Sequence, residues 1–216
     1  MTTPITFYYG SGSPYAWKVW LALEHKALPY EAKRMQFDND DLKTDAFKAI
    51  NPRGQVPALV DAGFAMYESG AMLEYLEDRY PSSGAALWPT DVQSCAIARR
   101  RTAEIMSHID PLNHELYGLV FGATPPQAET VATWKAKMAA ELNMVETWLT
   151  QDYIGGATLG AADFTLYPFV AILGRVDVRK PGHDMLALIP PKLKAWKARI
   201  EALSYFDKTI PPHWRG

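Results

Sequence analysis

The residues of this chain with chemical potential gather at three short junctions. The first is Gly10-Ser11-Gly12-Ser13-Pro14, where the aromatic and β-branched run of residues 5–9 gives way to helical spacing. Proline is favoured in a first helical turn, so Ser13 reads as the residue that caps the helix. A capping serine needs no further role. Yet its hydroxyl can accept a bond from a first-turn N–H and still donate its own proton outward. A thiolate docked there would receive that proton as a hydrogen bond and would sit at the positive helix end. Bringing a thiol from pKa ~8.5 to about 7 takes roughly 2 kcal/mol of preference for the anion. A hydrogen bond to a charged group supplies ~1.5–3 kcal/mol, and a helix terminus adds from a few tenths to about 2 kcal/mol. The two together suffice. The chain has one cysteine, Cys95, which alone makes no internal disulfide, CxxC pair or structural zinc site. Any thiol chemistry here uses a thiol that arrives from outside.

The second junction, Gln55-Val56-Pro57-Ala58-Leu59, opens a strand, where proline is permitted. A cis bond at Pro57 would turn the Val56 N–H and C=O sideways to meet an extended peptide, although a trans edge turn is the commoner state of such bonds. The third is Glu68-Ser69, at a strand-to-helix step. Ser69 reads as an N-cap. Glu68 suits an ammonium group, and Ser69 with the helix terminus suits a carboxylate, a pair of charges that an α-amino acid head presents. Each signal alone is weak, but their occurrence in one compact unit is much harder to attribute to chance.

The elements that must position these residues follow from spacing. Strands are expected at 5–9, 29–35, 57–61 and 64–68, the last two joined by Ala62-Gly63. A first helix runs from Ser13 with Trp17, Val19, Trp20, Leu21, Ala22 and Leu23 as its apolar stripe. A second helix is expected where Asp38, Asp40 and Asp41 crowd, and a third, from Ser69, carries Met72, Leu73, Tyr75, Leu76 and Tyr80. The order is β-α-β-α-β-β-α, an α/β unit, followed by Pro81-Ser82-Ser83-Gly84 as linker. Beyond it the pattern is all helical: Val131, Trp134, Met138, Leu142, Val145 and Leu149 recur at three and four, as do Leu193, Trp196, Ile200 and Leu203. Domains are expected at 1–80 and 90–216, with 81–89 between them.

Composition bounds the function. Of 216 residues 48% are hydrophobic and 21% charged, which suits a packed globular protein, and a net charge of −2 gives no footprint for nucleic acid. No segment is long and apolar enough to span a bilayer. The opening residues lack the charged start and apolar stretch of a signal peptide, so a cytoplasmic location is expected. Arg99, Arg100 and Arg101 read as a solvated face or subunit contact. His108, Asp110 and His114 read as surface residues rather than a metal site. Met106, Tyr117 and Phe121 sit at a spacing more typical of core than of a substrate pocket. Phe206, Ile210 and Trp214 either cover a cleft or pack.

Two stretches, Asn51-Pro52-Arg53-Gly54-Gln55-Val56-Pro57-Ala58-Leu59 and Tyr67-Glu68-Ser69-Gly70-Ala71-Met72, carry a specific resemblance. Over essentially its whole length the chain resembles the cytosolic glutathione transferases, serine-type and bacterial-like. The resemblance implies a thioredoxin-like N-terminal domain, an all-α C-terminal domain contributing the electrophile site, and a homodimer. It implies a cis Pro57, a Val56 backbone paired with the cysteinyl part of glutathione, and Glu68 and Ser69 on the γ-glutamyl head. Gln55 matches a residue contacting the tripeptide, and Ser13 matches the activating serine. Tyr9, Ser11, Arg53 and Tyr15 are secondary candidates, Tyr9 because other classes place an activating tyrosine near the end of strand 1. Serine in place of the cysteine of the cysteine-type classes points away from glutathione-dependent reductase chemistry. Glutathione is the co-substrate, no other cofactor or metal is implied, and the partner is a small hydrophobic electrophile in a detoxifying reaction. The alternative is a non-enzymatic scaffold of the same fold that binds a protein. Relatives usually carry Ser or Thr three residues before the aspartate matching Asp163, where this chain has Gly160.

Overall fold

The computed structural model describes residues 4–122 and 126–215, without the side chain of Phe121. The chain divides into two compact units, one formed by Met1–Trp88 with Ser204–Gly216 and the other by Pro89–Leu203.

In the first unit β1 (Ile5–Gly10), α1 (Pro14–His25), β2 (Tyr30–Met35), α2 (Asp45–Lys48), β3 (Ala58–Asp61), β4 (Phe64–Tyr67) and α3 (Ser69–Arg79) follow the expected order. The sheet runs β2-β1-β3-β4, with β2 parallel to β1 and the other pairs antiparallel. Phe7, at the centre of β1, lies between Ala32 and Leu59 in register. Alternation along β1 sends Ile5, Phe7 and Tyr9 into the core, and α1 and α3 supply Val19, Leu21, Leu23, Met72, Leu73 and Leu76, all fully buried. Full burial of such side chains is worth ~1.5–3 kcal/mol each. This core fixes where β1 and β4 hand over to α1 and α3, the steps that hold Ser13 and Glu68-Ser69.

Some expectations are corrected. The second helix does not start among the aspartates. A 3₁₀ turn spans Asp41–Lys43, and the four-residue α2 begins after Thr44, whose Oγ1 accepts from Phe47 N at 3.2 Å. The Asp41 carboxylate is used in a turn instead, accepting from Gln36 N at 2.9 Å. Ser69 is not the cap of α3 but its first residue, since the extra turn is closed by Glu68, whose carbonyl accepts from Met72 N at 3.0 Å. The tail also departs from the expected division at 90–216. Residues 204–216 group with the N-terminal unit, because α9 (Phe206–Thr209) seats Thr209 Oγ1 3.0 Å from the indole N–H of Trp17 and packs Phe206 on that indole.

The second unit is helical: α4 (Val92–Glu104), α5 (Asp110–Phe121), α6 (Ala128–Glu146), α7 (Ala161–Arg179) and α8 (Pro191–Glu201), with a π-helical segment Ile105–Ile109 joining α4 to α5. Helix α7 is buried without a break from Ala161 to Leu173, and the stripes of α6 and α8 deliver Trp134, Met138, Leu142, Leu193, Trp196 and Ile200 to the core. Asp163 organises the entry to α7. Its Oδ1 accepts from Ile154 N at 2.7 Å and Trp196 Nε1 at 2.8 Å, and its Oδ2 accepts from Gly160 N at 3.0 Å. Gly160 has no side chain, so the capping exchange is one-sided: the aspartate reaches back and nothing returns. Burial raises the Asp163 carboxyl to about 6, against the lowering pull of these donors.

Candidate active site

The β1–α1 junction folds as its residue types dictate. Ser13 is extended, and its Oγ accepts from Ala16 N at 3.3 Å while its carbonyl receives Trp17 N at 3.0 Å. Pro14 takes the first helical position, and no acidic residue occupies the first turn. The positive end of a 12-residue helix thus carries no acidic residue in its own first turn, beside a half-buried hydroxyl. As acceptor from Ala16 the Ser13 oxygen keeps its own proton for an incoming group. Ser11 is also half-buried, and its Oγ lies 2.6 Å from Nδ1 of His213. Gly12, between the two serines, has φ +85°, a conformation glycine adopts freely.

Tyr9 lies in the ring cluster of the sheet, 4.7 Å from Trp20 and 5.7 Å from Phe7 between centroids. Burial raises its phenol, opposed by Arg34 and Arg215. Tyr15 stands half-buried one residue after Pro14, with the Lys18 ammonium 6.0 Å from its ring centre.

The second junction is shaped by a residue that motif reading treated only as part of a turn. Asn51 is 3% exposed, donates from Nδ2 to the Gln55 carbonyl at 2.7 Å, and accepts at Oδ1 from Arg53 N at 3.0 Å. It clamps residues 51–55 from within, as asparagine does in local turns. Gly54 completes the clamp at φ +61°, where a Cβ would meet the Leu42 carbonyl oxygen at 2.9 Å. The clamp presents Gln55 exposed and Val56 half-buried, and the Val56–Pro57 bond is cis.

At the third junction Glu68 holds φ +71°, ψ 102°, a backbone state costing of order 1–3 kcal/mol for a residue with a Cβ. It turns β4 abruptly into α3. The result is an exposed Glu68 carboxylate next to the first N–H groups of α3, with the Ser69 side chain almost buried at 8% exposure. Arg53 Nε lies 3.9 Å from Glu68 Oε1, so the second and third junctions adjoin. Both ends are about two-thirds exposed, and such a pair adds little stability.

Elsewhere, His114 Nδ1 lies 3.1 Å from the Asp110 carbonyl and 3.4 Å from its carboxylate, an ordinary helix-surface pair. Arg100 pairs with Glu104, and Arg101 donates to the Ile154 carbonyl at 2.7 Å. Tyr117 is 39% exposed, not core, Met106 is half-buried, and the Phe121 side chain lies outside the described residues. Among the described residues no group of His, Cys, Asp or Glu side chains could hold a metal ion, and no helix is long and apolar enough to cross a membrane.

The same frame occurs in known proteins. The glutathione S-transferase N-terminal domain model matches residues 12–79 and the C-terminal domain model residues 107–204. The glutathione S-transferase-like protein OpS6 of Beauveria bassiana is 39% identical over 92% of this chain and 90% of its own. Maleylpyruvate isomerase of a Ralstonia species is 30% identical over 88% of this chain and 89% of its own. The crystal structure of poplar glutathione transferase F1 superimposes with a TM-score of 0.85 at 23% identity, covering 99% of this chain and all of that one. With both domains matched in order and the fold reproduced from end to end, the chain belongs to the glutathione transferase family.

Proposed function

We propose that this glutathione transferase is serine-type: Ser13 Oγ–H and the N-terminal end of α1 stabilise the glutathione thiolate, which attacks a small hydrophobic electrophile. The observation that carries this reading is the pairing of a capping hydroxyl, whose oxygen already accepts from Ala16 N, with a helix end free of acidic residues. On binding, the thiol yields its proton to water, and the sulfur anion accepts a hydrogen bond from Ser13. The tripeptide lies along the other two junctions. The Val56 backbone pairs with its cysteinyl part, Gln55 contacts it from the clamped loop, and Glu68 with Ser69 and the first amides of α3 holds the charged γ-glutamyl head. Arg53 supports Glu68 from 3.9 Å. Fixing both partners in one geometry accounts for the rest of the acceleration. The relatives bear the names of enzymes, and the enzyme reading is taken over the scaffold. The working form proposed is a soluble cytoplasmic homodimer, checked by sedimentation.

The decisive variant is Ser13→Ala. Losing one hydrogen bond to an anion costs ~1.5–3 kcal/mol, so turnover of an aryl halide near neutral pH should fall about 10- to 100-fold. The alkaline rise of the pH–rate profile should move up by about one to two units. Tyr9→Phe should leave both within about twofold of wild type. A collapse in Tyr9→Phe with Ser13→Ala intact would overturn the assignment.

A further inference from the structure

The C-terminal tail is fastened along α1 contact by contact. Tyr205 OH lies 2.9 Å from His25 Nδ1, Lys208 Nζ 3.2 Å from Glu24 Oε2, and Thr209 Oγ1 3.0 Å from Trp17 Nε1. The Trp214 ring meets Trp17 edge-on at 5.1 Å, and the Arg215 side chain ties back to the Asp207 carbonyl. The tail therefore runs from the C-terminal end of α1 to its N-terminal end, where it sets His213 on the turn that carries Ser13. The imidazole occupies the space beside the bare Cα of Gly12, where a Cβ would meet His213 Cε1 at 2.7 Å.

The direction of the hydrogen bonds follows from chemistry. Trp214 Nε1–H lies 3.0 Å from His213 Nε2. An indole nitrogen only donates, so Nε2 must carry no proton. In the neutral ring the proton is then on Nδ1, and that N–H donates to Ser11 Oγ at 2.6 Å. Ser11, held as an acceptor, has its own proton left to donate elsewhere.

We propose that His213 is a positioning residue for thiol activation: with Trp214 fixing its tautomer, it makes Ser11 Oγ–H a second hydrogen-bond donor to the glutathione sulfur beside Ser13. The proposal rests on the reading of the β1–α1 junction as the thiolate site. No bond is made or broken at His213. It orients one hydroxyl from 202 residues away in sequence.

The test is the pKa of the glutathione thiol in the binary complex, followed by ultraviolet thiolate absorbance, for wild type, His213→Phe, His213→Asn, Ser11→Ala and the Ser11→Ala/His213→Phe double variant. His213→Phe and Ser11→Ala should each raise that pKa by about half to one unit. The double variant should add nothing further. His213→Asn, whose amide nitrogen takes the place of Nδ1, should stay close to wild type. Trp214→Phe keeps a ring against Trp17 but removes the N–H that fixes the tautomer, and should shift the pKa in the same direction as His213→Phe. It keeps the proposal testable if His213→Phe loosens the tail. A wild-type pKa in His213→Phe and Trp214→Phe, additive shifts in the double variant, or a His213→Asn shift as large as that of His213→Phe would each overturn the proposal. If Ser13→Ala abolishes thiol acidification while His213→Phe changes nothing, only this inference fails. If the wild-type complex shows no acidification, the serine reading fails with it.

Discussion

At the level of single residues, charge and hydrogen-bonding type carried most of what the sequence disclosed. Ser13, Gln55, Val56 and Glu68 stand at the junctions their types suggested, because a cap, a clamped loop and a sharp strand-to-helix turn leave few alternatives for such residues. Ser69 was displaced by one position, since a glutamate in a left-handed backbone state, which no propensity favours, closes the turn. Glu68 offers the clearest test of binding as opposed to chemistry. Glu68→Gln removes the charge opposite an ammonium group, so KM for glutathione should rise about tenfold while kcat stays within about twofold. An unchanged KM would remove Glu68 from the γ-glutamyl site.

Among the elements, the strand β1 was legible from its period-2 alternation, α1 from its apolar run, and α3, α6 and α8 from apolar residues recurring at three and four. The loop between β2 and β3 was not, because its conformation depends on bonds from backbone N–H groups to the Asp41 carboxylate and the Asn39 amide oxygen, which no periodicity reports. Asn51 was visible only as turn composition. Its importance arises from burial, which the Asn-Pro-Arg-Gly motif does not reveal. Asn51→Ala strands the Gln55 carbonyl and the Arg53 N–H, and should lower stability to urea by about 2–3 kcal/mol. It should also raise KM for glutathione through the loosened Gln55-Val56 segment. A loss below about 0.5 kcal/mol would show that water replaces the clamp.

For the molecule as a whole, both unit types were readable, but the membership of the tail was not. Trp17 lies nearly two hundred residues from Thr209 and Trp214 in sequence, and no local pattern links them. Asp163 sets a stability signature of the helical unit. Its folded-state carboxyl is raised from 3.8 to about 6 by burial, so the folded state holds its proton more tightly than the unfolded chain. The stability this contributes is complete below about pH 4 and is lost as pH rises through about 6, up to ~3 kcal/mol. Wild type should therefore lose more unfolding free energy than Asp163→Asn between pH 4 and about 6.5. At neutral pH Asp163→Asn should itself be destabilised by several kcal/mol, because its amide places a donor among donors. Parallel pH profiles for the two proteins would contradict this account.

The most direct test of the central claim is a titration of glutathione's sulfur in the binary complex of wild type and of Ser13→Ala. A thiol pKa near 7 in wild type, at least one unit below free glutathione and returned most of the way to the free value by Ser13→Ala, is the predicted result. A bound thiol as weakly acidic as the free tripeptide, or one equally acidic in both proteins, would contradict it.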